Sequence, residues 1–387
     1  MTPAPTLPPL SLYLHFPWCV RKCPYCDFNS HTLREELPEA RYIDALLADL
    51  AAQAPRVAGR PITSLFLGGG TPSLFGPAQL DRLFTSLRTM MLVAADAEIT
   101  LEANPATVER GRFAEYHSIG INRVSLGAQS FIPETLRALG RIHQPADVLR
   151  AASELHACGL SNFNLDLMFA LPAQSLPGAL ADLTSALSLQ PAHLSHYQLT
   201  LEPGTVFAAQ PPPLPDDDLA WSMQTECQAL LAVHGYEQYE VSAYARPGRQ
   251  CRHNLNYWHF GDYLGVGAGA HGKLTQLADE PGGIRIERST HLREPRRYFA
   301  SAGAGPAWRQ VPPGDGPFEY MMNALRLSRG FAMPEFTART GLPAELVAAP
   351  LRQLAAEGLV SESQGQWQTT FRGFTYLNEV IQRFLPG

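Results

Sequence analysis

Three of the chain's six cysteines, Cys19, Cys23 and Cys26, fall within eight positions of the stretch "WCVRKCPYCDFNS". Their spacing, C-x3-C-x2-C, suits one face of a helix, and on that reading they are ordinary buried side chains. Pro24 argues against it, because it lies between the second and third thiols, where a helix interior would break. A loop wrapped around a metal group is the better geometry, and two groups compete for it. Zinc wants four tetrahedral ligands and needs His15 or His31 as the fourth, which describes a zinc-stabilised binding module. A [4Fe-4S] cluster is held by three thiolates with its fourth iron open, and an open iron is a place for reaction. The lack of a second cysteine pair favours the cluster.

Such a loop needs a scaffold. Apolar, β-rich runs recur at 12–16, 62–70, 98–105, 122–130, 162–172 and 193–204. Between them lie segments with apolar residues at helical spacing, among them "LPEARYIDALLADLAAQ", "PAQLDRLFTSLRTMM" and "LPGALADLTSALSL". This alternation predicts an α/β fold with parallel strands and helices outside, either an open doubly wound sheet or a complete or partial (β/α) barrel. In each of these, chemistry belongs at the C-terminal ends of the strands. The cysteines follow the first run, Gly68, Gly69 and Gly70 the second, Glu102 closes the third and Gln129 the fourth, with Arg141 and Asp166 close behind. Any one polar residue of this set could be a cap or a surface group, and their shared position is what makes them ligand candidates. The triple glycine, alone only a tight turn, leaves backbone carbonyls free to meet a ligand's ammonium group.

Beyond residue 204 the pattern loosens. "AAQPPPLPDDD" (208–218) reads as a proline- and acid-rich hinge, and 301–316, rich in Gly and Pro, as an inter-domain linker. Residues 317–387 read helix, turn, helix and two short strands, a small winged-helix-like C-terminal domain after a (β/α) domain over 1–300. Many such modules bind DNA, but this one has six Arg, no Lys and six Glu, which suits packing or a lid better. The whole chain of 387 residues agrees, since a net charge of −6 and a pI near 6.1 leave no polybasic footprint for nucleic acid or anionic lipid. No apolar run reaches the length of an integral membrane segment and the N-terminus lacks a signal-peptide pattern, so a cytoplasmic location is expected.

The cysteine triplet, with the aromatic Tyr25 just before its third member and a β/α array behind it, resembles the radical S-adenosylmethionine (radical SAM) superfamily. The resemblance implies a partial (β/α) barrel of the radical SAM type, a [4Fe-4S] cluster on Cys19, Cys23 and Cys26, and a reducing electron donor. It also implies S-adenosylmethionine chelating the open iron, where an electron from the cluster cleaves the sulfonium to a 5′-deoxyadenosyl radical. The stretches "LYLHFPWCVRKCPYC", "LGGGTPSLF", "EANP", "SLGAQSF", "LGRIH" and "NLDLMFALP" are similar to the oxygen-independent coproporphyrinogen III oxidase group. With the C-terminal module, that likeness covers nearly the whole chain. By this resemblance Tyr13, Gly69, Gly70, Thr71 and Glu102 line one S-adenosylmethionine, while Tyr25, Gln129, Arg141 and Asp166 lie along the same cavity.

Two features resemble the haem-chaperone branch of that group, the HemW type, more than the oxidases. The oxidases carry a further Cys two positions after the third cluster ligand, and here that position is Phe28. The segment "CRHNLNYWHF" (251–260) contains H-N-x-x-Y-W, which is similar to the branch's haem-binding motif. His253 is then the candidate axial ligand to haem iron, with Asn254 beside it and Tyr257 and Trp258 offering flat apolar surface to a porphyrin. Cys251, His259 and His271 are alternatives of the same kind. By residue type alone, a His among aromatics is more often a hydrogen-bonded core residue. The branch implies haem as cargo and a haem-acceptor protein as partner; radical decarboxylation of a porphyrinogen propionate is the enzyme alternative.

Overall fold

The first strand shows how the wall of the fold is made. In β1 (Leu10–Phe16) Leu10, Leu12, Leu14 and Phe16 enter the apolar core, while Ser11, Tyr13 and His15 alternate with them on the other face. The same alternation runs through β2 (Ile62–Gly69), β3 (Val93–Ala103), β4 (Arg123–Gln129), β5 (Phe163–Phe169) and β6 (His193–Gln198). One face of each strand is sealed by crossover helices, and the other is polar. The helices include α1 (Glu39–Gln53), α2 (Pro77–Met90), α3 (Arg112–Ser118), α4 (Pro133–Ala138), α5 (Pro145–Ala157) and α6 (Leu176–Ser188). Their apolar stripes, such as Tyr42, Ile43, Leu46 and Leu50 of α1, complete the core. A computed structural model describes residues 7–106, 112–278 and 283–386 of the chain.

Beyond β6 come α7 (Asp217–Val233), β7 (Glu237–Gln238), β8 (Ala243–Ala245), α8 (Arg252–Trp258), β9 (Asp262–Val266), β10 (His271–Leu277), β11 (Ile284–Thr290) and β12 (Ala307–Gln310). The sheet order is β12-β11-β10-β9-β1-β2-β3-β4-β5-β6-β8-β7. Strands β9 and β1 to β6 run parallel to one another, and the remainder extend the two edges antiparallel. The edge strands β12 and β7 are not joined in this order, so the barrel is partial, as expected for the radical SAM type.

Residues 301–316, expected as a linker, contain β12, whose Trp308 packs beneath Arg56 and whose backbone pairs with β11. Pairing with β11 recruits it to the sheet. The proline-rich hinge is likewise fixed: Ala173 N donates to Pro213 O at 3.0 Å, and Asp216 caps α7 through Leu219 N. The C-terminal unit has helices at Gly316–Ala324, Met333–Thr340 and Glu345–Ala356 and a three-stranded sheet whose Val360–Ser363 and Gln366–Thr369 strands form the wing. Its core of Tyr320, Phe331, Phe336 and Leu351 also takes in Phe260 and Ile286, so it is packed onto the β10–β11 side of the barrel. Among the described residues no helix is long and apolar enough to cross a membrane.

Strand β9 is held in place by buried charge. Asp262 is fully buried, pairs with Lys273 Nζ at 3.1 Å and Arg60 Nη2 at 2.8 Å, and accepts Thr275 N and Oγ1. Lys273 is 1% exposed, and burial lowers its pKa to about 8 against the pull of Asp262. Removing one partner leaves an uncompensated charge. Asp262→Ala is therefore expected to destabilise the chain by about 3–5 kcal/mol in denaturant unfolding, far more than loss of an exposed ion pair.

Candidate cofactor site

The cysteines sit on a loop that is clamped at both ends. Trp18–Cys19 and His31–Thr32 form a two-residue parallel pair, reinforced by His31 N to Pro17 O at 2.7 Å and Leu33 N to Cys19 O at 2.8 Å. No helix forms over 19–26, as Pro24 requires. Inside the loop Cys26 N donates to Cys23 O, and Asn29 Nδ2 reaches Ala268 O and Arg293 O at 2.8 and 2.9 Å. All three thiols are unpaired and half-buried. Each has a polar neighbour: Thr71 Oγ1 lies 3.6 Å from Cys19, Arg141 Nη1 3.7 Å from Cys23, and Ser30 Oγ 3.7 Å from Cys26. Burial raises the pKa of Cys19 and Cys26, with the Thr71 and Ser30 contacts pulling the other way.

The loop faces a cavity of about 680 Å³ at the C-terminal ends of β1 to β6. Its wall brings together Cys19, Cys23, Cys26, Tyr25, Gly69, Gly70, Thr71, Glu102, Gln129, Arg141 and Asp166. The glycines are required by close approach: a Cβ on Gly70 would stand 2.5 Å from Trp18 O, and one on Gly69, at φ +112°, 2.4 Å from the His15 ring. Gly69 N donates to Glu102 Oε2 at 3.0 Å. Gln129 closes β4 in the left-handed region, at φ 65°, beside a register shift, and accepts a hydrogen bond from Tyr197 OH at 2.9 Å. Such a conformation in a non-glycine residue is held by its surroundings and recurs at ligand sites.

Two acids give the cavity its character. Glu102 has its pKa raised to about 8 by burial first and by the Asp166 charge second, opposed by the Gly69 hydrogen bond. Asp166 is also raised by burial, against hydrogen bonds from Asn164 at 2.8 Å and Ser125 at 3.1 Å. Arg141 stands across from them, with Nη2 on Gly127 O at 2.7 Å and a buried Nε that lacks a partner. A cationic ligand in the cavity favours the ionised form of both acids, and Arg141 can meet an anionic group on it. S-adenosylmethionine carries a sulfonium, an ammonium and a carboxylate, so the donor set fits it.

The thiols suit a cluster better than zinc. Among the described residues no three His, Cys, Asp or Glu side chains converge closely enough to hold a single ion. Of the two histidines available to zinc, His15 is committed on both nitrogens, to Asn29 O at 2.8 Å and Tyr13 OH at 3.0 Å, while His31 Nε2 is buried without a hydrogen-bond partner.

Several expected residues lie elsewhere. Tyr13 is absent from the cavity wall; its ring packs near Phe66 and His253, with centroids 6.2 and 6.3 Å away. The H-N-x-x-Y-W segment forms α8, which packs against the opposite, N-terminal ends of the strands. His253 is 2% exposed, with Nδ1 3.1 Å from Ser64 Oγ, Nε2 3.2 Å from Tyr257 OH, and its ring stacked on Phe66. Its backbone N donates to Glu98 Oε1, and Cys251 Sγ lies 3.5 Å from the same oxygen. Asn256 completes the attachment through Ser11 Oγ at 2.8 Å. Asn254 and Trp258 are half-buried outside this contact, His259 pairs with Glu335 at 3.0 Å, and exposed His271 touches Thr290. The structure does not bring His253, Asn254, Tyr257 or Trp258 to the cavity that holds the cysteines.

Residues 13–177 match the family model "Radical SAM superfamily", and 311–376 match "HemN C-terminal domain". The chain is 50% identical over 384 residues to a protein of Escherichia coli named heme chaperone HemW, covering 98% of this chain and 99% of that one. It is 46% identical to the Haemophilus influenzae protein of the same name, with 98% and 99% covered. The chain belongs to the HemW family within the radical SAM superfamily. The family's fold extends to a solved relative, coproporphyrinogen III oxidase (HemN) from Escherichia coli, described as a radical SAM enzyme. That structure superposes with a TM-score of 0.81 at 25% identity, over 98% of this chain and 90% of the other.

Sequence reasoning missed Ser125, Met168, Ser195, Tyr197 and Arg326 in the cavity wall. Four of them were accessible from strand alternation, since Ser125, Met168, Ser195 and Tyr197 stand an even number of positions from Gln129, Asp166 or each other.

The raised Glu102 pKa has a sign that can be tested. A folded value near 8 against an ordinary 4.5 means that protonation favours the fold, so its contribution is complete below pH 4.5 and lost as pH rises through 8. Without added ligand, thermal stability should fall as pH rises from about 4.5 to about 8, and Glu102→Gln should flatten that fall. An equal slope in both proteins would remove Glu102 as its source.

Proposed function

We propose that the chain is a haem chaperone that carries a [4Fe-4S] cluster and S-adenosylmethionine at the strand C-termini, binds haem and passes it to an acceptor protein. The observation that carries this reading is the 50% identity, over nearly the whole of both chains, to a relative named as a heme chaperone. Cys19, Cys23 and Cys26 hold the cluster, and Glu102, Asp166, Gly69, Gly70, Gln129 and Arg141 surround S-adenosylmethionine. When bound, the two groups supply one-electron chemistry at the sulfonium. The protein's own part is to seat the cationic ligand against Glu102 and Asp166, keep the strand end clear through Gly69 and Gly70, and shield the thiols with the clamped loop. Free thiols of this kind suit a reducing, cytoplasmic setting, and the cluster calls for a reducing electron donor.

Haem is proposed to bind at the H-N-x-x-Y-W segment, with His253 as iron ligand. Burial, and next the Arg123 charge, lower the His253 pKa to about 3, so its imidazole is neutral and offers a lone pair without losing a proton. Ligation requires one ring nitrogen to give up its hydrogen bond, worth on the order of 1 kcal/mol, and α8 to lift from the barrel floor at the further cost of the contacts of His253 N and Asn256. The second reading, oxidative decarboxylation of coproporphyrinogen III, is favoured by the 0.81 superposition on the oxidase. Phe28, 60% exposed at the cavity rim, stands where the oxidase resemblance expects a cysteine and weighs against it.

An anaerobic haemin titration of the reconstituted protein tests the choice. One saturable haem per chain, with the Soret band lost or displaced in His253→Ala while iron and sulfide content stay unchanged, is the expected result. No saturable binding in either protein would return the decarboxylase to first place.

A further inference from the structure

One wall of the cavity lies outside the residues assigned above to the cluster and S-adenosylmethionine. On the β6 side it is lined by Ser242, just before β8, and by Arg326, which the C-terminal unit contributes. The Arg326 guanidinium lies 4.7 Å over the Trp258 ring, and its Nε is buried without a hydrogen-bond partner. Its electrostatic neighbour is Glu240, 3% exposed, whose Oε1 accepts from Ser242 Oγ at 3.3 Å while Oε2 has no partner. A guanidinium and a carboxylic acid are thus held near one another, each with an unmatched buried atom.

We propose that Arg326 is a carboxylate-binding group of the cavity wall, and that the carboxylate is a haem propionate; this rests on the haem-chaperone reading. A guanidinium stacked on an indole is held in orientation and presents a planar fork that matches a carboxylate. Glu240 stands behind Arg326, off the cavity wall, and burial raises its pKa against the pull of the Arg326 charge. Trp258 follows His253 by five positions, about 140° around the helix. It therefore faces the C-terminal unit while His253 faces the barrel floor. The motif's tryptophan then supports haem through Arg326, and the C-terminal unit becomes part of the haem site.

S-adenosylmethionine also bears a carboxylate, and the test separates the two sources. Haemin and its dimethyl ester, in which both propionates are neutral, are titrated into the reconstituted full-length wild type and Arg326→Gln, alongside S-adenosylmethionine. The wild type should bind haemin about tenfold or more tighter than the ester. Arg326→Gln should lose that preference through weaker haemin binding, with ester and S-adenosylmethionine affinities unchanged. Equal wild-type affinity for haemin and ester overturns the proposal without recourse to a variant, as does an equal loss of both in Arg326→Gln. A loss confined to S-adenosylmethionine reassigns the carboxylate and also overturns it. Failure of the wild type to bind either haem form would overturn the haem reading itself, a different result from binding both alike.

Discussion

Glu102 and Asp166 place two acids at the end of a barrel, where burial raises the pKa of both and the Asp166 charge raises that of Glu102 further. Hydrogen bonds from Gly69, Asn164 and Ser125 reduce that rise without removing it. Much of the surrounding design follows. The strand end that carries the Gly69 N–H to Glu102 also runs against the His15 ring and Trp18 O, which demands glycine at 69 and 70. The polar faces of β1 to β6 must stay inside, so the apolar faces turn outward to the helices. A cationic ligand is the natural complement of this arrangement, and the clamped cysteine loop holds its thiols over the same space.

The opposite end of the barrel solves the same problem differently. There the inward polar residues are satisfied by protein alone: His193 bridges Asn164 at 2.7 Å and Tyr239 at 2.8 Å, Glu98 receives the start of α8, and Ser11 and Ser64 receive Asn256 and His253. Helix α8 is thus a polar plug for the floor. The C-terminal unit, sharing its core with Phe260 and Ile286, covers the outer side of this region and reaches the cavity with Arg326. The plug and the cavity are joined physically by the stacking of Arg326 on Trp258.

Much of this was legible in the residues. Pro24 between two cysteines ruled out a helix, and the apolar runs located all six barrel strands within a few residues, because chain composition sets those patterns locally. Polar residues at strand ends pointed to the cavity for the same reason. What could not be read was long-range. Nothing local distinguishes 301–316 from a linker, because β12 exists only by pairing with β11. Tyr13 falls on the inward face of β1 as expected, yet lies below the cavity, a depth that alternation does not encode. His253 looks the same in sequence whether it faces solvent or fills a floor. Arg326 comes from a separate unit, and only tertiary packing brings it to the wall.

The most direct test of the cavity's electrostatic design is a comparison of S-adenosylmethionine with S-adenosylhomocysteine, which lacks the methyl group and the sulfonium charge. Anaerobic equilibrium binding to the cluster-reconstituted chain should favour the charged ligand by about tenfold or more, because Glu102 and Asp166 are walled in with little solvent to screen them. Equal affinity for the two would contradict the claim that buried carboxylates select the ligand.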